Sequence, residues 1–321
     1  MKYSVGIDLG GTKLAAALVD EKGNIIAFRK ESIVDLKVEG SPVRAQKKLI
    51  QLMVDMILGF RERYPKAFQK KSFIGVGLAC AGPLNVKTGS LVYPVNFPGW
   101  KIVPIQKNLF EALQAKKIST KVAFQNDAVA AAFAEGWIGG AQNLKTYAVI
   151  TVGTGVGTGI IFHHRPVQTS GMGSEFGHLI SDNKKIINIK EDLHPNTIEG
   201  EASGTGMLRK AKLMGFKGNT IEELVQELEA GNYQYQILFD EAADALAALC
   251  YNLSIGFNIE KFLFSGGLIK IRHLYFERMK KRYQLLIENM NPEFRCPLQV
   301  AKCLNQAGVL GAARLPYLLL D

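Results

Sequence analysis

Short apolar runs in this chain end repeatedly in glycine. "YSVGIDLGG", residues 3 to 11, is the first. A short, mostly apolar stretch of this length, bounded by turn residues, predicts a buried strand. "KLAAALVD" and "IIAFRKES" predict two more, with "EKGN" as the turn between them. Helical spacing takes over from 42 to 63, behind Ser41-Pro42, an N-cap and first-turn pair. "SFIGVGLACAG" predicts a further buried strand. The segment after it, "GPLNVKTGSLVYPVNFPGW", reads as irregular and proline-rich. Residues 104–117 predict a helix, 120–125 a strand, and "NDAVAAAFAEGW" a buried, alanine-rich helix.

Near residue 146 the pattern restarts. "TYAVITVGTGVGTGIIF" is again strand, glycine-threonine turn, strand, and echoes "YSVGIDLGGTKLAAALV". Helices are predicted over 220–230 and 233–258, a strand over "EKFLFSGGL", a helix over 273–289, a short strand at "PLQVAKC", and a last helix over 307–319. Strand groups alternating with helices indicate an α/β fold, and the echoed hairpins suggest two related lobes.

The chain has 321 residues, enough for one large or two ordinary domains, and is 47% apolar and 21% charged. No apolar run reaches the ~18 residues of a membrane span. The opening "MKYSVGIDLGG" enters a strand directly and is not expected to be a signal peptide. Cys80, Cys250, Cys296 and Cys303 form no CxxC pair, so a reducing, cytoplasmic setting is expected, with the cysteines serving as small hydrophobes. The net charge is +10, but the basic residues lie in small scattered clusters without interleaved aromatics. A solvated basic surface is the reading, not a nucleic-acid site; attraction of a polyanionic substrate stays open.

Asn126 and Asp127 stand at the junction of a buried strand and a buried helix. Two readings fit. Asn and Asp are favoured N-caps, because their side-chain oxygens accept from orphan helix amides. A carboxylate at the end of a strand also suits a general base.

"DLGGTK" spans Asp8 to Lys13. Glycines after a strand let backbone amides approach a phosphate, and Asp8 could hold Mg²⁺ directly or through water. The order Thr12-Lys13 excludes a Walker A loop. "GTGVGTG", 153 to 159, has Thr158 where the dinucleotide fingerprint needs glycine. "SGG", 265 to 267, is a third strand-terminal glycine turn. Each alone fits a tight hairpin; three in one α/β chain point to nucleotide phosphates.

In order, "DLGGTK", "NDAVAAAFAEGW", "VGTGVGTGI", "GSEFGHL", "IEGEASG" and "SGGL" resemble the ROK family of sugar kinases and related repressors, within the actin-like ATPase superfamily. The resemblance runs from residue 4 to about 313. It implies two lobes of RNase H-like topology around a cleft: a small lobe over 1–122, with the C-terminal helix 305–321 packed back on it, and a large lobe over 123–304. It implies ATP phosphates at Asp8, Gly10, Gly11, Thr12 and Lys13 and at Gly153, Thr154 and Gly155, with adenosine near Gly266 and Gly267. Asp127 matches the catalytic base. Asn96, Asn126, Glu175, His178 and Glu199 match sugar-contacting positions. A homodimer is also implied.

Two departures stand out. ROK proteins commonly follow the GH motif with a cysteine-rich zinc cluster. Here the stretch from Leu179 to Gly204 has no cysteine, and His194 is a lone histidine, so no zinc is expected. ROK repressors carry a helix-turn-helix before the kinase core, whereas here the "DLGG" strand starts at residue 4; an enzyme is expected. The implied activity is ATP- and Mg²⁺-dependent phosphorylation of a hexose 6-hydroxyl, with glucose first. N-acetylglucosamine, fructose or mannose as acceptor, and polyphosphate as donor, are the alternatives within the class; a non-catalytic sugar sensor is the alternative outside it.

Overall fold

The computed structural model describes residues 1–37, 40–168, 173–181 and 196–319. The chain forms two compact units: Met1–Asn143 with Pro166–Gly173 and Lys302–Asp321, and Leu144–Arg165 with Ser174–Ala301.

The first unit opens with β1 (Tyr3–Leu9), β2 (Lys13–Asp20) and β3 (Ile25–Ser32), then α1 (Val34–Lys37) and α2 (Pro42–Arg63). β4 (Phe73–Cys80), β5 (Leu84–Asn85), β6 (Ser90–Val92), β7 (Ile102–Val103), α3 (Ile105–Ala115), β8 (Val122–Asn126) and α4 (Asp127–Ile138) follow. The main sheet has the order β3-β2-β1-β4-β8. β1 runs antiparallel to β2 and parallel to β4, and β4 runs parallel to β8.

The expected irregular segment after β4 proves partly ordered: β5, β6 and β7 make a small antiparallel sheet. Strands of two or three residues are too short to leave a period in the sequence, so periodicity could not find them.

The second unit contains β9 (Tyr147–Val152), β10 (Val156–Phe162), β11 (Arg165–Pro166), α5 (Ile198–Ala202), α6 (Gly204–Leu213), α7 (Ile221–Glu229), α8 (Gln236–Phe257), β12 (Lys261–Ser265), α9 (Phe276–Met290) and β13 (Leu298–Val300). Its sheet order is β11-β10-β9-β12-β13. β9 is antiparallel to β10 and parallel to β12, which is parallel to β13. The antiparallel and parallel pairs around β1 thus recur around β9, and the sequence echo has a structural counterpart. The last helix, α10 (Ala307–Leu318), returns to the first unit.

The period-2 alternation of β1 explains how the first unit is layered. Val5, Ile7 and Leu9 face a large-residue core shared with Leu49, Met53 and Ile57 of α2 and Leu109 and Leu113 of α3. The opposite face carries Ser4, Gly6 and Asp8, and it meets α10. Ser4 Oγ donates to the Ala313 carbonyl at 2.7 Å. A Cβ on Gly6 would overlap the Val309 carbonyl, and one on Gly77 of β4 would overlap that of Ala312. One on Gly311 of α10 would in turn overlap the Ala130 carbonyl of α4. Ala79, Ala130 and Ala312 fill what remains. Small residues let sheet and helices approach backbone to backbone, and so bring α10 and α4 to the ends of β1 and β8. β8 pairs with β4, and α4 packs on α10. Both therefore belong to the first unit, and its boundary falls after Asn143 rather than after 122.

Among the described residues no helix is long and apolar enough to cross a membrane.

Candidate functional site

The first unit gathers Asp8, Gly10, Gly11, Thr12, Lys13, Asn96, Asn126 and Asp127. Asp8 is the penultimate residue of β1. Its neighbour in register is Ala79 of β4, which pairs with Gln125 of β8. That row of the sheet leads to the β8–α4 junction, where the chain turns at Asn126.

Asn126 takes the cap. Its backbone is extended, and its Oδ1 accepts from the amides of Ala128 at 2.9 Å and Val129 at 3.2 Å. Gln125 Oε1 in turn accepts from the Asn126 amide at 2.8 Å. Asp127 is therefore not needed to start α4, although its Oδ1 also accepts from the Ala128 amide at 2.8 Å. Burial holds the Asp127 carboxyl above the ordinary carboxylate range, against the pull of backbone hydrogen bonds at the helix start. Asp8 is pushed up to about 7, first by burial and then by the nearby charge of Asp127, with Lys30 opposing. Beside them Cys80 is buried, and desolvation with the same two carboxylates holds its thiol protonated.

The loop from β1 to β2 is closed by the Gly10 amide, which donates to the Lys13 carbonyl at 3.0 Å. Asn96 reaches this loop from the β6–β7 connection. That connection is anchored by Phe97 and Trp100, both buried, with rings stacked at 4.5 Å. A Cβ on Gly11 would lie 2.7 Å from Asn96 Oδ1.

The second unit gathers Gly153, Thr154, Gly155, Glu175, His178, Glu199, Gly266 and Gly267. The Gly153 amide donates to the Gly155 carbonyl at 2.9 Å. The junction of α5 and α6 supports the loop: the Gly204 amide donates to the Gly153 carbonyl at 2.8 Å. Thr197 caps α5 and Ser203 caps α6. Glu199, in α5, accepts from the Val156 amide at 2.8 Å. Gly266 takes φ 95°, and a Cβ there would overlap the Val152 carbonyl; both require glycine. Gly267 has no such neighbour.

Glu175 precedes and His178 ends a single 3-10 turn, Phe176–His178, and both are exposed. Thr158 pins that turn. Its Oγ1 donates to the Ser174 carbonyl and accepts from the Phe176 amide at 3.2 Å. The residue that breaks the dinucleotide fingerprint thus holds the segment bearing Glu175 and His178. Gly308, at the start of α10, is a second residue that sequence reasoning missed. A Cβ there would lie 2.5 Å from Asp8 Cγ, so glycine leaves room for the carboxylate. Neither signal was local: each depends on a partner far away in sequence. His194 lies outside the described residues. Among the described residues no group of three or more His, Cys, Asp or Glu side chains could hold a metal ion.

In the first unit, a buried carboxylate at the β8–α4 junction, a second raised carboxylate nearby and a glycine turn after β1 lie close together, a grouping suited to proton removal. The chain is similar over nearly its whole length to known sugar kinases. A glucokinase of Thermotoga maritima is 26% identical, covering 97% of this chain and 96% of that protein. An N-acetylmannosamine kinase of Haemophilus influenzae is 25% identical, covering 96% and 93%. The solved ROK hexokinase of Thermus thermophilus has a TM-score of 0.78 at 27% identity, over 99% of each chain. Residues 4–317 match the ROK family as a whole, and this chain belongs to it.

Proposed function

We propose that this ROK sugar kinase transfers the γ-phosphoryl group of ATP to the 6-hydroxyl of a hexose, with glucose as the preferred acceptor. The observation that carries this reading is the division of labour at the β8–α4 junction. Asn126 supplies the cap, and Asp127 stands next to it as a desolvated carboxylate with raised proton affinity. A sugar hydroxyl is a weak nucleophile, and a carboxylate placed to take its proton contributes on the order of 10² to 10⁴ in rate.

Asn96, Asn126, Glu175, His178 and Glu199 are assigned to the acceptor. Amides and carboxylates satisfy paired hydroxyls, and an analogue lacking a hydroxyl leaves them unpartnered. The ATP phosphates are assigned to the two glycine loops. In the first, the Gly10 amide is committed to Lys13, so the amides of Gly11 and Thr12 are the donors offered to a phosphate. Magnesium suits the oxygen chemistry of Asp8, and the raised proton affinity of that carboxylate fits a place where a cation would balance two clustered acids. Bound there, it would neutralise phosphate charge as transfer proceeds.

The test is ADP formation with Mg·ATP across glucose, N-acetylglucosamine, N-acetylmannosamine, mannose and fructose, with polyphosphate as a parallel donor. Glucose turnover well above the rest supports the assignment; preference for another sugar replaces glucose; sugar binding without ADP release makes the chain a sensor. Asp127→Asn is expected to retain sugar binding and lose roughly 10²- to 10⁴-fold in kcat. Unchanged turnover in that variant overturns Asp127 as the base.

A further inference from the structure

The two phosphate loops each contain a glycine whose identity the loop itself does not require. None of Gly10, Gly11, Gly153 and Gly155 takes a positive φ, so an L-residue could adopt the backbone at all four. Their surroundings nevertheless separate them into two pairs. A Cβ on Gly10 would meet only the Lys13 carbonyl at 3.5 Å, and one on Gly153 only the Gly267 amide nitrogen at 3.6 Å, both ordinary contacts. A Cβ on Gly11 would lie 2.7 Å from Oδ1 and 3.1 Å from Cγ of Asn96. A Cβ on Gly155 would overlap Oε2 of Glu199 and lie 3.2 Å from its Cδ.

We propose that Gly11 and Gly155 are specificity-determining positions for the acceptor sugar, kept as glycine so that Asn96 and Glu199 can occupy the space a Cβ would fill. This rests on the reading that Asn96 and Glu199 contact the sugar. It separates the glycines of each loop by task. Gly10 and Gly153 have room on their Cβ side, and the need for glycine there comes from whatever the loop binds. Gly11 and Gly155 are occupied by a polar side chain of the protein itself. In each unit, then, one residue of the phosphate loop and one acceptor residue are packed against each other.

Alanine at Gly11 is expected to fold. The clashing atoms are the end of a two-torsion side chain, which can swing aside without moving backbone. The same relaxation removes the amide from its place. Glu199 is more constrained, because its Oε2 also accepts from the Val156 amide; displacing it breaks that bond.

The experiment is a pair of double-mutant cycles read as glucose binding by calorimetry without nucleotide, or as binding of whichever panel sugar turns over. Gly11→Ala should weaken binding roughly 10- to 100-fold, the loss of one or two sugar hydrogen bonds. In an Asn96→Ala background the same substitution should change binding less than about twofold, since the residue it displaces is already gone. Gly155→Ala with Glu199→Ala should behave alike. Gly40→Ala and Gly256→Ala, outside both loops and with open space where a Cβ would stand, should leave sugar affinity within about twofold of the parent.

Full additivity in both cycles, or Gly11→Ala and Gly155→Ala proteins that bind sugar normally, overturns the proposal while leaving the kinase reading intact. Asn96→Ala and Glu199→Ala proteins that bind sugar normally overturn the sugar-contact reading, and the proposal with it. Melting temperature identifies any variant that fails to fold; the other cycle then decides.

Discussion

The leading hairpins of the two units share their strand pairing but not their electrostatics. The penultimate residue of β1 is Asp8, and the corresponding place in β9, two residues before the glycine loop, is Thr151. At the first hairpin two carboxylates share a poorly solvated space, and both hold protons above the ordinary range. At the second, the carboxylate of Glu199 is tied to the Val156 amide, and the loop carbonyls are taken by the start of α6. One hairpin end stores unfavourable charge; the other is closed by hydrogen bonds. The repeated topology carries two desolvated carboxylates at one hairpin end and a hydrogen-bonded support at the other. Strained electrostatics at a site is the usual cost of preparing groups to react.

The largest expected contrast is in pH dependence. In the ligand-free protein with chelator present, Asp8 has its proton affinity raised to about 7 from an unfolded value near 3.8. The folded state thus binds more protons than the unfolded state between those values. Stability falls as pH rises from about 4 to about 7 and is flat beyond. Asp8→Asn removes this penalty. It should stabilise the ligand-free protein by on the order of 1 to 3 kcal/mol at pH 8 and by nothing below pH 4, read as melting temperature against pH. A variant less stable than the parent at pH 8 would show that the two hairpin ends do not differ in this way.

Glu199→Ala should act with the opposite sign in the second unit. It orphans the Val156 amide and should destabilise by roughly 1 to 2 kcal/mol at neutral pH, measured by denaturant unfolding. Equal stabilisation by both substitutions would erase the comparison.

The smallest effect is expected at the cap. Asn126→Ala should lower stability by about 1 kcal/mol, because Asp127 can still meet the Ala128 amide. A near-zero change would move the capping role to Asp127 and weaken its assignment as the base.

Much of the site could be read in sequence because its signals are local. A strand that ends in glycine, an Asn-Asp pair before an alanine-rich run and a Ser-Pro pair before a helical period each carry their meaning within a few residues. Other features could not be read this way. Thr158 looked only like a defect in a glycine motif, yet it holds the turn that carries Glu175 and His178. Gly308 lies in the predicted last helix with no local signal of its own, yet it leaves room for Asp8. The three short strands around Asn96 left no period to detect.

By itself the sequence determined most of the longer elements, their α/β order, the repeated hairpin and the kinds of residue at the ends of the long strands. Backbone propensity and apolar periodicity act over one or two turns, and that range is enough for those decisions. Only the tertiary structure decided which glycine answers to a side chain and which stands open, that β8 and α4 belong with α10 in the first unit, and that Asp8 and Asp127 share one desolvated space. Those are consequences of which surfaces meet. Close contacts and burial depend on residues tens or hundreds of positions apart, and the local chain holds no record of them.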